Sequence, residues 1–210
     1  MDAEPLLLDA EPLLLDAEAR LAEWDADIDQ LLAEARAAGL TALQANLSTP
    51  EGARTLAQQV ASETDTLDVL VNNAGATWGA PLEEFPDSAW DRVLKLNVQT
   101  PFVLTQTLLP LLTGTATAEN PSRVIMIGSV DGIRVPRTAS YSYSSSKAAV
   151  HQLTRHLARD LGPRHVTVNA IAPGPFESKM MAPILAELGD EVAHDRSRVD
   201  ETGVLHPRSE

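Results

Sequence analysis

Two of the scarcest side chains in this 210-residue chain stand four positions apart. Tyr143 and Lys147 frame the stretch Tyr143-Ser144-Ser145-Ser146-Lys147, in a sequence with only two tyrosines and three lysines. On a helix, residues four apart stack on one face within reach of each other, and the run from Ala139 to about Leu161 reads as a helix. That spacing sets a cation beside a phenol. An ammonium favours the phenolate, so such a pair could pass a proton to or from a substrate oxygen near neutral pH. Tyr141, six residues from Lys147, points to another side. The plainer alternative is an amphipathic helix start with a solvated lysine.

Charge narrows the partners. The net charge of −14 is concentrated at the ends: residues 1–38 hold eleven acids and two bases, residues 39–185 twelve and eleven, and residues 186–210 seven and three. With no basic patch to meet phosphates, nucleic acid and anionic membrane surfaces are not expected as partners. The absence of cysteine rules out a disulfide framework and thiolate chemistry. No metal site is expected. The first residues lack a signal-peptide pattern, and no apolar run approaches membrane-spanning length. The expectation is a soluble, cytoplasmic protein.

Several elements must position the pair. Residues 2–15 carry Asp-Ala-Glu-Pro-Leu-Leu-Leu twice, a coiled-coil period broken by Pro5 and Pro12, and read as a low-complexity acidic segment over 1–16. From Ala17 to Ala38 the apolar residues fall at helical spacing, with Gly39 placed to end the helix. A short strand is expected over Thr41–Ala45. Ser48-Thr49-Pro50-Glu51 has the form of a capping box opening a helix to about Thr64. The strand Leu67–Val71 runs into Asn72-Asn73-Ala74-Gly75. A long helix follows, capped by Asp87 or Ser88, containing Asn97 and kinked at Pro101. Next come a buried-type strand, Arg123–Gly128, with Ser129 at its C-terminal end, then the Tyr143 helix and the strand His165–Ile171 before Pro173-Gly174. Residues 17–188 read as one α/β domain, and 189–210 as an irregular charged tail.

Strands alternating with helices imply parallel βαβ units, whose chemistry collects at the carboxyl ends of the strands. Asn72–Gly75, Ser129 and Pro173–Gly174 all follow strand ends. These residues, with Asn97, Tyr143-x-x-x-Lys147 and Asn169-Ala170-Ile171-Ala172-Pro173-Gly174, resemble the short-chain dehydrogenase/reductases over residues 41 to 185. The wording of Asn73–Ala80 and of Ala118-Glu119-Asn120-Pro121 resembles 3-oxoacyl-[acyl-carrier-protein] reductases of the rhamnolipid-biosynthesis kind and their fungal relatives.

The resemblance implies that Tyr143 protonates a carbonyl oxygen as hydride arrives from a nicotinamide, and that Ser129 holds that oxygen. It implies that Lys147 lowers the Tyr143 pKa and binds the nicotinamide ribose, while Asn97 holds a water linking Lys147 to solvent. Cofactor contacts would come from Asn46, Leu47, Asn73, Ala74, Gly75, Tyr143, Lys147, Pro173 and Gly174, with NADP(H) ahead of NAD(H). The substrate would be a small carbonyl compound or an acyl thioester. His151 and His156 share a helix with Tyr143, but Ser129 lacks the Gly-x-Ser-x-Gly setting of a nucleophile elbow. All five histidines are therefore read as surface or structural.

The family opens with a strand and a turn of the form Gly-x-x-x-Gly-x-Gly, and no three of the eleven glycines here fit that spacing. The C-terminal strand expected after Leu188 has no counterpart either. Losing even two charge-assisted bonds from such a turn would weaken cofactor binding by a factor on the order of 10² to 10⁴. The expected fold is a truncated Rossmann-like α/β sheet, mostly parallel, of about four strands with flanking helices. In it, strand 41–45 would close up beside strand 67–71, and helix 17–38 would cover part of a face. The expected function is NAD(P)H-dependent carbonyl reduction. The alternative is a cofactor-deficient homologue that acts by association, with itself or with a full-length relative.

Overall fold

The structure, a computed structural model, describes residues 30, 33–35, 37–136 and 138–174. The expected repeat segment, most of the helix that begins at Ala17 and the charged tail lie outside the described residues. The chain divides into two compact units, Met1–Ala45 and Asn46–Glu210. In the first, Gly39 ends the helix as expected. Its φ of +73° is the left-handed conformation that suits glycine. The Leu40 N–H reaches back to the Ala35 carbonyl at 2.9 Å and the Ala38 N–H to Glu34 at 3.0 Å, satisfying carbonyls the helix end would leave bare.

Thr41–Ala45 forms no strand, so the expected pairing with strand 67–71 does not occur. Beyond Thr41 the segment has no β-branched residue, and Leu43 is its one large apolar side chain, too little to fit a pleated, half-buried surface.

Among the described residues of the second unit the sheet is parallel and three-stranded, where about four strands were expected, in the order β1 (Val69–Asn72), β2 (Ser122–Ile127), β3 (Val166–Ile171). Helices α1 (Pro50–Glu63), α2 (Asp87–Leu94), α3 (Thr100–Thr107), α4 (Leu109–Gly114) and α5 (Tyr141–Leu161) surround it. Thr49, one residue later than the capping-box reading places it, caps α1 by accepting from the Gly52 N–H at 3.1 Å; Pro50 then sits at the first helical position. Pro86 precedes α2 without a side-chain cap, so neither Asp87 nor Ser88 serves as one. His165 adopts a left-handed turn, and β3 starts one residue later.

Register explains the core. Leu70, Val124 and Val168 lie abreast, followed by Asn72, Met126 and Ala170. This face meets Leu112, Val150 and Leu161 from the helices. Ala53 and Ala57 of α1 form a second cluster with Val103, Leu104 and Leu108, and Leu67 and Leu70 touch both clusters. The opposite face is less covered: Val71 on the edge strand is 51 % exposed and Ile171 53 %.

Leu112 is fully buried in the main cluster. Leu112→Ala should cost about 3 kcal/mol through lost transfer energy and an incompletely collapsed cavity. Thermal unfolding should show a Tm drop on the order of 10 °C; an unchanged Tm would contradict this packing.

Candidate active site

The long helix expected from Asp87 to Leu112 is interrupted before Pro101 rather than kinked at it. Lys95–Gln99 forms a π-helical turn in which the Thr100 N–H bonds to the Lys95 carbonyl. Pro101 has no N–H, and its ring would press on the carbonyl four residues back, that of Asn97. Widening the helix by one residue per turn relieves that conflict and turns Asn97 inward, where it is 2 % exposed.

The Asn97 amide is fully engaged there. Its Oδ1 accepts from the Ala76 N–H at 2.8 Å, and its Nδ2 donates to the Ala76 carbonyl and to Ser146 Oγ, both at 2.9 Å. Ser146 Oγ in turn donates to the Tyr143 carbonyl at 2.7 Å. The side chain thus braces the loop after β1 and the start of α5. Asn72 is also structural, its Nδ2 reaching Met126 Sδ at 3.3 Å and Thr105 Oγ1 at 3.4 Å.

Tyr143 and Lys147 share the face of α5 that the spacing predicts, with Lys147 Nζ over the phenol ring at 5.5 Å from its centroid. Lys147 is 5 % exposed, and its Nζ donates to the Ile127 carbonyl at 2.7 Å. A side-chain carbon at Gly75 would lie 3.7 Å from Nζ and 3.4 Å from Asn97 Oδ1, so glycine brings bare backbone up to the ammonium. Ser129 lies two residues past the end of β2, and its hydroxyl accepts from the Asp131 N–H at 3.1 Å in the turn Val130–Gly132. That turn presses on α5, since a side chain at Gly132 would stand 2.5 Å from the Lys147 carbonyl carbon. The Val130 N–H bonds to the Pro173 carbonyl at 3.1 Å, which draws the end of β3 to the same place.

Not every expected residue joins this cluster. Asn46 Oδ1 takes the Ser48 N–H at 3.0 Å and the Ser48 hydroxyl at 2.6 Å, a local turn at the head of α1. The Leu47 carbonyl accepts from Thr100 Oγ1 at 2.8 Å. No hydrogen bond ties either residue to Tyr143 or Lys147 among the described residues. Asn73, Ala74 and Gly174 are exposed. Two site residues were missed: Asp131, beside the Tyr143 phenol, and His151, on the backbone of Ser129. Their sequence signals were a two-residue offset from Ser129 and a four-residue step from Lys147.

Electrostatics also depart from expectation. Burial, partly offset by a hydrogen bond from Ser129 and reinforced by the Asp131 charge, pushes the Tyr143 phenol above its usual value. Burial holds Lys147 below its own. Lys147 was expected to lower the Tyr143 pKa; the shift runs upward instead, with desolvation its largest cause. The result is a phenol that keeps its proton. Asp131 is itself raised by burial, against the pull of Arg134. Among the described residues, no group of three or more His, Cys, Asp or Glu could hold a metal. No described helix is long and apolar enough to cross a membrane.

A parallel α/β sheet with serine, tyrosine and lysine gathered at its carboxyl edge defines a Rossmann-like oxidoreductase class. The pattern described as short chain dehydrogenase matches residues 14–189, and the chain belongs to that family. It is 53 % identical over 139 residues to the rhamnolipids biosynthesis 3-oxoacyl-[acyl-carrier-protein] reductase of Pseudomonas aeruginosa, covering 66 % of this chain and 54 % of that protein. It is 34 % identical over 163 residues to the short-chain dehydrogenase/reductase FrzI of a Cladobotryum species, covering 77 % of this chain and 60 % of the relative. The solved RhlG/NADP active-site complex of Pseudomonas aeruginosa superposes with a TM-score of 0.70 at 46 % identity, over 80 % of this chain and 65 % of that one. A blue fluorescent protein from a metagenomic library, in complex with NADPH, gives a TM-score of 0.63 at 36 % identity, over 72 % of this chain and 60 % of that one. This chain thus spans 54 % and 60 % of the lengths of the two named relatives.

The Asp131 carboxylate disfavours a phenolate at Tyr143, so removing its charge must lower the phenol pKa. Asp131→Asn keeps the backbone N–H that serves Ser129. In an alkaline absorbance titration with Tyr141→Phe leaving a single phenol, the midpoint should fall; a rise or no change would contradict the arrangement.

Proposed function

We propose that this chain is a reductase of the family that uses NADP(H) to convert a carbonyl group to an alcohol, with 3-oxoacyl thioesters as the substrate class. The observation that carries the reading is the placement of Tyr143, with the Lys147 Nζ over its ring and the Ser129 hydroxyl hydrogen-bonded to its phenol. A nicotinamide cofactor, when bound, supplies the hydride. The nicotinamide end of such a molecule fits the residues present: Gly75 opens bare backbone beside Lys147 Nζ, whose N–H donors can serve ribose hydroxyls. For the pyrophosphate end the described residues offer no glycine-rich turn.

The chain's own part in the reaction is proton delivery and oxygen binding. Ser129 donates a hydrogen bond to the substrate oxygen as negative charge develops there. Tyr143 gives that oxygen its proton, and the nearby Lys147 charge steadies the phenolate left behind. Holding the phenol above its ordinary pKa keeps the acid loaded at neutral pH. Asn97 fixes the Ala76 loop and the Tyr143 turn between which the oxygen must sit. Support for the substrate class comes from the 53 % identity with the Pseudomonas aeruginosa reductase. A second reading treats the set as a remnant and has the chain act by association, favoured by the half-exposed Val69 and Val71 on the edge strand.

Incubation with NADPH and a 3-oxoacyl thioester, followed by loss of nicotinamide absorbance, tests the choice. Turnover is expected, and Tyr143→Phe should cut it about 10² to 10⁴-fold. Equal rates for wild type and Tyr143→Phe, or no turnover by the wild type, would reject the reductase reading.

A further inference from the structure

His151 lies one step of four beyond Lys147, continuing the face that carries Tyr143. Its Nε2 is 3.0 Å from the Ser129 carbonyl. A carbonyl only accepts, so Nε2 must carry the hydrogen. The same oxygen takes the Gly132 N–H at 3.1 Å, and its two lone pairs are then both used. The neighbouring Gly128 shows how close the ring comes. A side-chain carbon there would stand 2.5 Å from His151 Cε1, 3.0 Å from Nε2 and 3.1 Å from the Ile171 carbonyl. No other residue type fits at 128 while the ring stays in place.

We propose that His151 is a positioning residue that acts through Ser129: the imidazole, seated over Gly128, clamps the Ser129 carbonyl so that the hydroxyl stays beside the Tyr143 phenol, bonded to it until a substrate oxygen takes its hydrogen. This rests on the reading of Ser129 and Tyr143 as the reacting pair. The clamp works from the opposite side to the turn. The Ser129 hydroxyl is held by the Asp131 N–H and its carbonyl by Gly132 and His151, while Pro173 holds the Val130 N–H. Without His151 the rear contact from α5 is lost, and the serine can rotate away from the phenol. The charged groups beside the phenol, Asp131 and Lys147, are unaltered by any change at 151.

The chain has two tyrosines, so 3-fluorotyrosine in a Tyr141→Phe background gives one ¹⁹F resonance, at position 143. Fluorination lowers the phenol pKa and lets the titration finish before alkaline unfolding. Ser129→Ala should raise the midpoint, since the serine's hydrogen bond favours the phenolate. His151→Leu should raise it in the same direction, by less than Ser129→Ala does. His151→Gln, which keeps an N–H donor, should restore the parent value. Gly128→Ala, which displaces the ring but leaves His151 in the chain, should reproduce His151→Leu and carries the test if that variant does not fold. A shift in Ser129→Ala with none in His151→Leu or Gly128→Ala would overturn the clamp, as would equal shifts in His151→Leu and His151→Gln. No shift in Ser129→Ala would instead reject the underlying Ser129–Tyr143 reading.

Discussion

The site depends on one buried amide. Asn97 is withdrawn from water, and a primary amide in that position must find partners for each polar atom or cost the fold on the order of 1–3 kcal/mol per unmet group. It finds them in the backbone of Ala76 and the hydroxyl of Ser146. Those partners belong to different segments, the loop leaving β1 and the first turns of α5. Satisfying one side chain therefore fixes the distance between the strand edge and the helix that carries Tyr143 and Lys147. The π-helical turn that aims Asn97 inward is a consequence of Pro101 in the sequence, and helix irregularity here is part of how the site is built.

Glycines finish what the amide begins. At Gly132 a side-chain carbon would run into the α5 backbone, while at Gly75 it would stand in contact with Asn97 and Lys147. The turn after β2 can approach the helix only because Gly132 is bare. Close approach then strips water from Tyr143 and Lys147 together. Desolvation penalises the charged form of each, so the phenol is held protonated and the ammonium is weakened. A proton donor is the outcome, which suits reduction of a carbonyl better than the phenolate suggested by spacing alone.

Much of this was legible in the sequence because it depends on local periodicity. A four-residue step on a helix places Tyr143 and Lys147 together whatever surrounds them. Ser129 and Asn72–Gly75 are found at strand ends because β-branched and apolar runs stop there. Gly39 marks a helix end through its own backbone freedom. What could not be read depends on contacts far apart in the chain. The sign of the Tyr143 shift is set by burial, and burial by how closely loops pack on α5. The π-helical turn arises from a conflict between Pro101 and a carbonyl one turn back, where a simple kink was expected. Thr41–Ala45 shows the reverse error: a short stretch between turn signals was read as a strand, but its alanines and glutamine give a sheet little to hold. His151 was read as surface or structural, because its partner, a carbonyl on another element, left no mark in its own neighbourhood.

The nicotinamide end of the proposed site draws on Gly75, Ser129, Tyr143 and Lys147. Reduced nicotinamide mononucleotide, which has the nicotinamide and ribose but no adenosine, isolates that end. Titrated into ¹⁵N-labelled protein, it should shift the amides of Gly75, Ala76, Ser129 and Lys147 while leaving those of α1 in place, and Lys147→Met should abolish the shifts. An unchanged spectrum at millimolar ligand, or shifts scattered over α1 with the site residues silent, would contradict it.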